Sequence, residues 1–362
     1  MTPVTVLVLA PEIAPDAGPL ERVLDAARTA LAEHHREGFA AAGATTVIVR
    51  REPPDDTPFG ARLRRLVEEL APAGLVVLGA GAIPLATVGD RRALVGAASS
   101  SEQHALANQR YSADAVAIAR ASEVLSELPD LPSDNALPRW LAEEAGVVVR
   151  DLAARRRLAV DVDSPLDLLL LEGVRGAPEL PMPADDVAAP VRARLVALRR
   201  LAADPLAELL VAGRTSAMDL RWLERHTRSR TRVLVEERGL RTANAAAALG
   251  RPNRRPPRSV LGELLDRDGP DGIGRLIAGL ADGALVDSRV LLAHRLGADE
   301  RAWPPAEDRF ASDLLLADAI ADPWLRALTA AAGESPVPIL LGGHSLVGPG
   351  LRLALRQERR RR

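Results

Sequence analysis

The chain contains neither cysteine nor lysine in its 362 residues. Without cysteine there are no disulfides, thiolate metal sites, iron–sulfur clusters or cysteine nucleophiles. Without lysine, all 47 basic residues are arginine. That excludes the phosphate-binding lysine of P-loops, Schiff-base lysines and pyridoxal-type aldimines. Long apolar runs are missing too, none approaching the ~20 residues that a spanning helix needs. The apolar run at residues 4–10 follows Met1 too directly for a secretory signal and reads as a strand. A cytoplasmic protein without a membrane partner is expected. The net charge of −2 offers no excess of positive charge to meet phosphate backbones or anionic lipids, so no nucleic-acid partner is expected either. The arginines at 356 and 359–362 read as a solvated tail.

What remains, 47% hydrophobic and 27% charged residues, suits about two domains with substantial cores. Residues 4–10 form a continuous β-branched and apolar run, as in a strand buried on both faces of a parallel sheet. Helical periodicity follows over 20–42, with Leu24, Ala27, Leu31 and Ala32 on one face. A second strand is predicted at 45–49, a helix at 61–70 and a third buried strand at 75–78. Helices alternating with strands predict a mostly parallel sheet with ligands at the carboxyl ends of its strands. Gly79 and Gly81 sit at such an end, where they permit close backbone approach to a ligand or simply turn a corner. Thr87 is placed as an N-cap or turn residue, and a helix is predicted over 113–125. The polar stretch 108–114 holds the only tyrosine, Tyr111.

The stretch 158–171, Leu-Ala-Val-Asp-Val-Asp-Ser-Pro-Leu-Asp-Leu-Leu-Leu-Leu, closes this first half. Leu158, Val160 and Val162 predict a strand that delivers Asp161 and Asp163 to its end, and Ser164 is placed to cap a helix beginning at Pro165. A Gly- and Pro-rich linker follows at 173–186. The second half repeats the pattern, with strands at 206–211 and 231–236 around a helix at 217–226. Residues 213–216 would stand at a helix start, where capping competes with anion binding. The Pro- and Arg-rich run 244–258 reads as a mobile loop, and 284–294 as strand or buried helix. A strand at 337–341 ends in Gly342-Gly-His-Ser345, which suits an active site or phosphate cradle. A metal centre from His294, His344, Asp287 and Asp313 would need four segments to converge, and no His-x-x-x-His spacing supports it.

The order of elements over residues 1–175, with Ile-Pro-Leu at 83–85 and Asp161-Val-Asp-Ser-Pro-Leu-Asp167, resembles the sugar-nucleotide-type (GT-A-like) nucleotidyltransferases. Within them it looks most like the molybdenum-cofactor guanylyltransferases and the 2-phospho-L-lactate guanylyltransferases. Their closing motif reads Asp-x-Asp-Thr-Pro-x-Asp-Leu; here Ser164 replaces the threonine. Two departures stand out. No carboxylate follows the third strand at 79–82, and the first loop, 11–18, lacks the lysine, leaving Arg22 as the one counterpart for a triphosphate.

The fold expected is therefore α/β, with two Rossmann-like domains of mostly parallel sheet, residues 1–180 and 187–362, the first nucleotide-diphospho-sugar transferase-like. The resemblance implies transfer of NMP from a nucleoside triphosphate to a small phosphorylated or cofactor-precursor acceptor, with Mg²⁺ held by Asp163 and Asp161. Arg22, Gly79 and Gly81 would contact the nucleotide, and Asn108, Arg110 and Asp134 would line the acceptor pocket. Two alternatives stay open: a catalytically degenerate nucleotide-binding or assembly protein, and an enzyme acting at residues 342–345. A homo-oligomer is likewise left open.

Overall fold

The computed structural model describes residues 2–53, 55, 57–248 and 255–356. The segment 249–254, from the loop expected at 244–258, and the arginines at 359–362 lie outside the described residues. The chain folds into two compact units. The first comprises the residues up to Ala17, Leu24–Val162 and Arg175–Pro181; the second Gly18–Val23, Asp163–Val174 and the chain from Met182 onward.

In the first unit the strands are β1 (Val4–Pro11), β2 (Thr46–Glu52), β3 (Gly74–Gly79), β4 (His104–Ala107), β5 (Ala115–Ala119) and β6 (Val148–Asp151). They form one sheet in the order β2-β1-β3-β5-β4-β6. β1 pairs in parallel with β2 and β3, whereas β5 runs antiparallel to both β3 and β4. The sheet is thus mixed where a mostly parallel one was expected. Alternate side chains feed two cores: Leu7, Leu75, Val77, Val116 and Ile118 face one way, and Val6, Val8, Val76, Leu78 and Ala117 the other. Burial on both faces is what makes β1 and β3 read as unbroken apolar runs.

The helix expected over 113–125 is not there. Residues 115–119 are β5, all five buried, followed by a short helix, Ala121–Val124. The alanine-rich sequence favours a helix locally. Yet Val116 and Ile118 alternate with Ala115 and Ala117, the small residues facing the core that takes in Leu94, Val95 and Ala98 of the helix Val88–Ala98. Pairing between two strands therefore overrides propensity.

The strand expected around 158–162 is also shorter than anticipated. Leu158 lies in a 3₁₀ turn, Arg156–Ala159, and the segment pairs only through an antiparallel bridge, Asp161 to Ala82. That bridge explains Gly81. Val162 N–H donates to Gly81 O at 3.0 Å, and a Cβ on Gly81 would sit 2.6 Å from Val162 O. Gly81→Ala is expected to destabilise the unit by about 1–3 kcal/mol through overpacking; a urea melt within a few tenths of wild type would contradict this.

The second unit holds a four-stranded, all-parallel sheet, β7 (Glu208–Gly213), β8 (Arg230–Val235), β9 (Gly283–Asp287) and β10 (Ile339–Gly342), in the order β10-β9-β7-β8. The ambiguous run 284–294 turns out to be both alternatives in succession, β9 and then the helix Ser288–Leu296. Of the expected loop 244–258, residues 244–248 end the helix Leu240–Ala248. The helix Pro165–Leu171 starts at Ser164 and Pro165 as expected, but Leu166, Leu169 and Leu170 enter the core of the second unit, with Leu209, Leu285 and Leu340.

Candidate functional site: a strand-end cavity in the first unit

The chain leaves β1 for β2 on one side and returns to β3 on the other, so β1 and β3 flank the switch point of the sheet. Loops diverge at such a point and leave a crevice beyond the carboxyl ends of the strands. A cavity of about 290 Å³ opens there, bounded by the ends of both strands. Leu9, Phe59, Val77, Val116 and Leu137 give it apolar walls, and Arg50, Thr57, Arg62, Asp114 and Asp134 supply polar groups. Apolar walls with a few placed polar groups are the usual make-up of a small-molecule site.

The cationic side comes from β2 and from the helix Phe59–Leu70. Arg50 pairs through one terminal nitrogen with Glu69, while its buried Nε has no hydrogen-bond partner. An unpaired buried donor is uncommon in a folded protein and invites an acceptor. Glu69 is 48% exposed, so the pair is worth under about 1 kcal/mol and yields readily to an incoming anion. Arg62 meets Asp55 at 2.6 Å and Glu52 at 3.6 Å. The helix that carries Arg62 begins after Pro58 without a side-chain cap, next to the lining residues Thr57 and Phe59, and its Gly60 N–H donates to Leu131 O at 2.9 Å.

Asp114 reaches the cavity because β5 is reversed. Its carbonyl accepts from Gly79 N–H at 3.3 Å, which puts an aspartate beside the end of β3, where the sequence of β3 itself supplies none. Asn108 holds this corner. Fully buried, it accepts from the backbone N–H groups of Asp114 and Ala115 at 3.0 and 3.2 Å and donates to Leu158 O at 2.8 Å. Asn108 is thus a support for Asp114 and is not among the residues that line the cavity.

Of the residues chosen from the sequence, Gly79 and Asp134 line the cavity. A Cβ on Gly79 would meet nothing within 4 Å, so this glycine opens the space, in contrast to Gly81. Arg110 lies over the exposed ring of Tyr111, and Arg22 is exposed in the stretch Gly18–Val23 of the second unit. Asp161 is half-buried in the first unit; Asp163 belongs to the second, is 56% exposed and lies 3.6 Å from Arg241. None of these four is among the lining residues. Arg50, Arg62 and Asp114 are the additions that sequence reading missed. The signal for Arg50 was its place in Arg50-Arg51-Glu52 at the exit of a strand; Asp114 closes the polar stretch 108–114, but nothing local placed it beside the end of β3.

Asp161 and Asp163, the residues expected to hold Mg²⁺, belong to different units. Among the described residues, one group of three carboxylate and histidine donors lies within 4.8 Å of one another, Glu263, Asp266 and His294. Its histidine is committed elsewhere: His294 Nδ1 accepts from Ser259 N–H at 3.1 Å, so the proton sits on Nε2, which donates to Asp266 at 3.1 Å. The other set, His294 with His344, Asp287 and Asp313, does not form either, because Asp287 and Asp313 are taken by Arg214 and Arg289. Compared with protein-family models and with curated proteins, the chain matches none.

Proposed function

We propose that the first unit binds a nucleoside triphosphate in the cavity between β1 and β3 and passes its nucleoside monophosphate to a small acceptor. The observation that carries this reading is the cavity itself: apolar walls for a base, with arginines for phosphates, at the switch point of the sheet. The motif at 161–167 adds the resemblance to nucleotidyltransferases. In the transfer an acceptor oxygen attacks the α-phosphorus in line. A new O–P bond forms as the α–β anhydride breaks, and pyrophosphate leaves with the electron pair. Arg50, whose buried Nε has no partner, would neutralise charge on the phosphates, the largest service a site can offer this reaction. Asp114 and Asp134 would fix hydroxyl or amino groups.

The test is calorimetric titration with GTP, CTP, ATP and UTP, each with and without Mg²⁺, on wild type, Gly79→Leu and Arg50→Ala. Because a Cβ on Gly79 meets no neighbour, Gly79→Leu should keep the melting temperature and weaken binding at least tenfold. Arg50→Ala should weaken triphosphate binding more than nucleoside binding. Failure of all four nucleotides to bind would end this reading. Binding without turnover of any phosphorylated acceptor would favour the degenerate, non-catalytic alternative, which the absence of lysine and of an acid after β3 supports.

A further inference from the structure

The second unit has its own switch point. The chain goes from β7 to β8 on one side and resumes at β9 on the other, so β7 and β9 flank the point at the carboxyl edge where such sheets bind ligands. β7 delivers Gly213-Arg-Thr, β9 delivers Asp287-Ser-Arg and β10 delivers Gly342-Gly-His-Ser. Most of these polar side chains are answered within the protein. Arg214 grips Asp287 through Nε at 2.6 Å and Nη2 at 3.1 Å, and Arg289 grips Asp313, with Nη2 to Oδ2 at 2.6 Å. Ser288 donates to Gly342 O at 3.2 Å, and Ser345 donates to Asp167.

Two atoms are left over. Thr215 is 0% exposed and its Oγ1 has no hydrogen-bond partner; His344 Nδ1 is buried and has none either. Buried polar atoms in folded proteins are paired in the large majority of cases, so two orphans at one strand edge imply a partner from outside the chain. The short helix carrying His344 packs against β7 and β9, the strands that deliver Thr215 and Asp287. Gly343 and His344 are half-buried, which leaves a way in from solvent.

We propose that this edge binds a small, uncharged, hydroxyl-bearing molecule of the sugar or polyol class, engaging Thr215 Oγ1 and His344 Nδ1. The charge pattern selects the class. Arg214 and Arg289 already have bidentate carboxylate partners, and Arg241 lies 3.6 Å from Asp163, so each of these cations is already engaged by a carboxylate and the edge does not select for an anion. A hydroxyl both donates and accepts, which suits both an unpaired threonine hydroxyl and an unpaired imidazole nitrogen. Burial first, then Arg214 and Arg241, hold that imidazole down at about 4, so it is neutral near pH 7 and able to accept.

The experiment titrates the protein with ribose, myo-inositol and inorganic phosphate, reading the side-chain ¹⁵N resonances of His344 and the melting temperature. Ribose or myo-inositol should shift His344 Nδ1 saturably. Thr215→Val should weaken that response at least tenfold without lowering the melting temperature of the free protein, since the hydroxyl it removes is unpaired. Thr215→Ser should keep the response, and so should Gly79→Leu, which separates this site from the cavity of the first unit. No shift by either polyol would overturn the proposal. So would a stronger response to phosphate, or a clear loss of melting temperature in free Thr215→Val, which would mean that the hydroxyl has a partner in the protein.

Discussion

Asp287→Ala is expected to cost about 3–5 kcal/mol of folding stability, because it leaves a buried guanidinium without its counter-charge. Asp287 is wholly buried and Arg214 is 9% exposed at the side chain, so little solvent is present to screen either. Burial by itself raises the Asp287 carboxyl; Arg214 outweighs it, with His344 and Arg289 adding to the effect, and holds the group below the usual carboxylate range. The carboxylate is therefore ionised in the folded protein at neutral pH. Its contribution is present above the unfolded value and is lost as pH falls through the lower folded one. Removing both charges together is a different experiment. Arg214→Met with Asp287→Leu should recover most of the loss, because an apolar pair of similar volume escapes the desolvation of two ions. Urea melts of the two singles and the double close the cycle. A single-mutant loss under 1 kcal/mol, or strict additivity, would mean that the pair is not the tight, dry contact its geometry describes. Recovery in the double would show that stability alone does not require the charges at this strand edge.

The strands that were legible are apolar or β-branched runs, including β2 and β8, which hold no fully buried residue, whereas β9, buried throughout, read equally as a helix. β1, β3, β7 and β10 announce themselves as apolar runs, and each ends at a break such as Pro11, Gly79, Gly213 or Gly342. The caps were equally local: Thr87 accepts from Asp90 N–H at 3.2 Å, and Asp167 reaches back to Ser164 N–H at 2.8 Å. What failed was non-local. β4 and β6 have four residues each, too few for a periodicity to emerge, and β5 is alanine-rich, so its strand character exists only through its neighbours. The candidate site fails and succeeds along the same line. Gly79 could be read because it closes an apolar strand. Asp114 could not, since its place beside Gly79 depends on the reversal of β5. Asn108 was chosen for its polar surroundings, and those surroundings are the backbone groups that it ties down.

Lowering the pH from 7 to 4 should cost the wild-type protein about 3 kcal/mol through His35 alone. His35 is 0% exposed; its Nε2 donates to Ala82 O at 2.9 Å, and its Nδ1 is buried without a partner. Burial first, then Arg91 and His34, push the imidazole down to about 3, against the Ala82 bond, which favours the protonated form. The sign follows from which state takes the proton first. With a folded value near 3 and an unfolded one near 6.5, the unfolded chain is protonated through the whole interval while the folded protein stays neutral. Stability is therefore complete above about 6.5 and is lost progressively on acidification. His344, pushed down to about 4, acts in the same direction. Asp167 opposes both, since burial raises it to about 6: its contribution is full below the unfolded value and lost as pH rises through 6. His35→Gln keeps an N–H donor for Ala82 O and has no proton to gain. The variant should be less stable than wild type at pH 7 and should close that gap by about 3 kcal/mol at pH 4. Parallel pH profiles for the two proteins would sink the assignment. The structural stake is the loop that continues from Gly79, a lining residue of the cavity. Ile83 sits there at a φ of 42°, costly for a β-branched residue, and the carbonyls on either side are held by His35 at Ala82 and by Arg91 at Ala86, 2.8 Å away. Protonation of His35 would place a second buried cation beside Arg91, whose Nε and Nη2 already lack partners. Acid should therefore release this loop before it unfolds the sheet, and nucleotide affinity should fall in the same pH window in wild type and hold in His35→Gln.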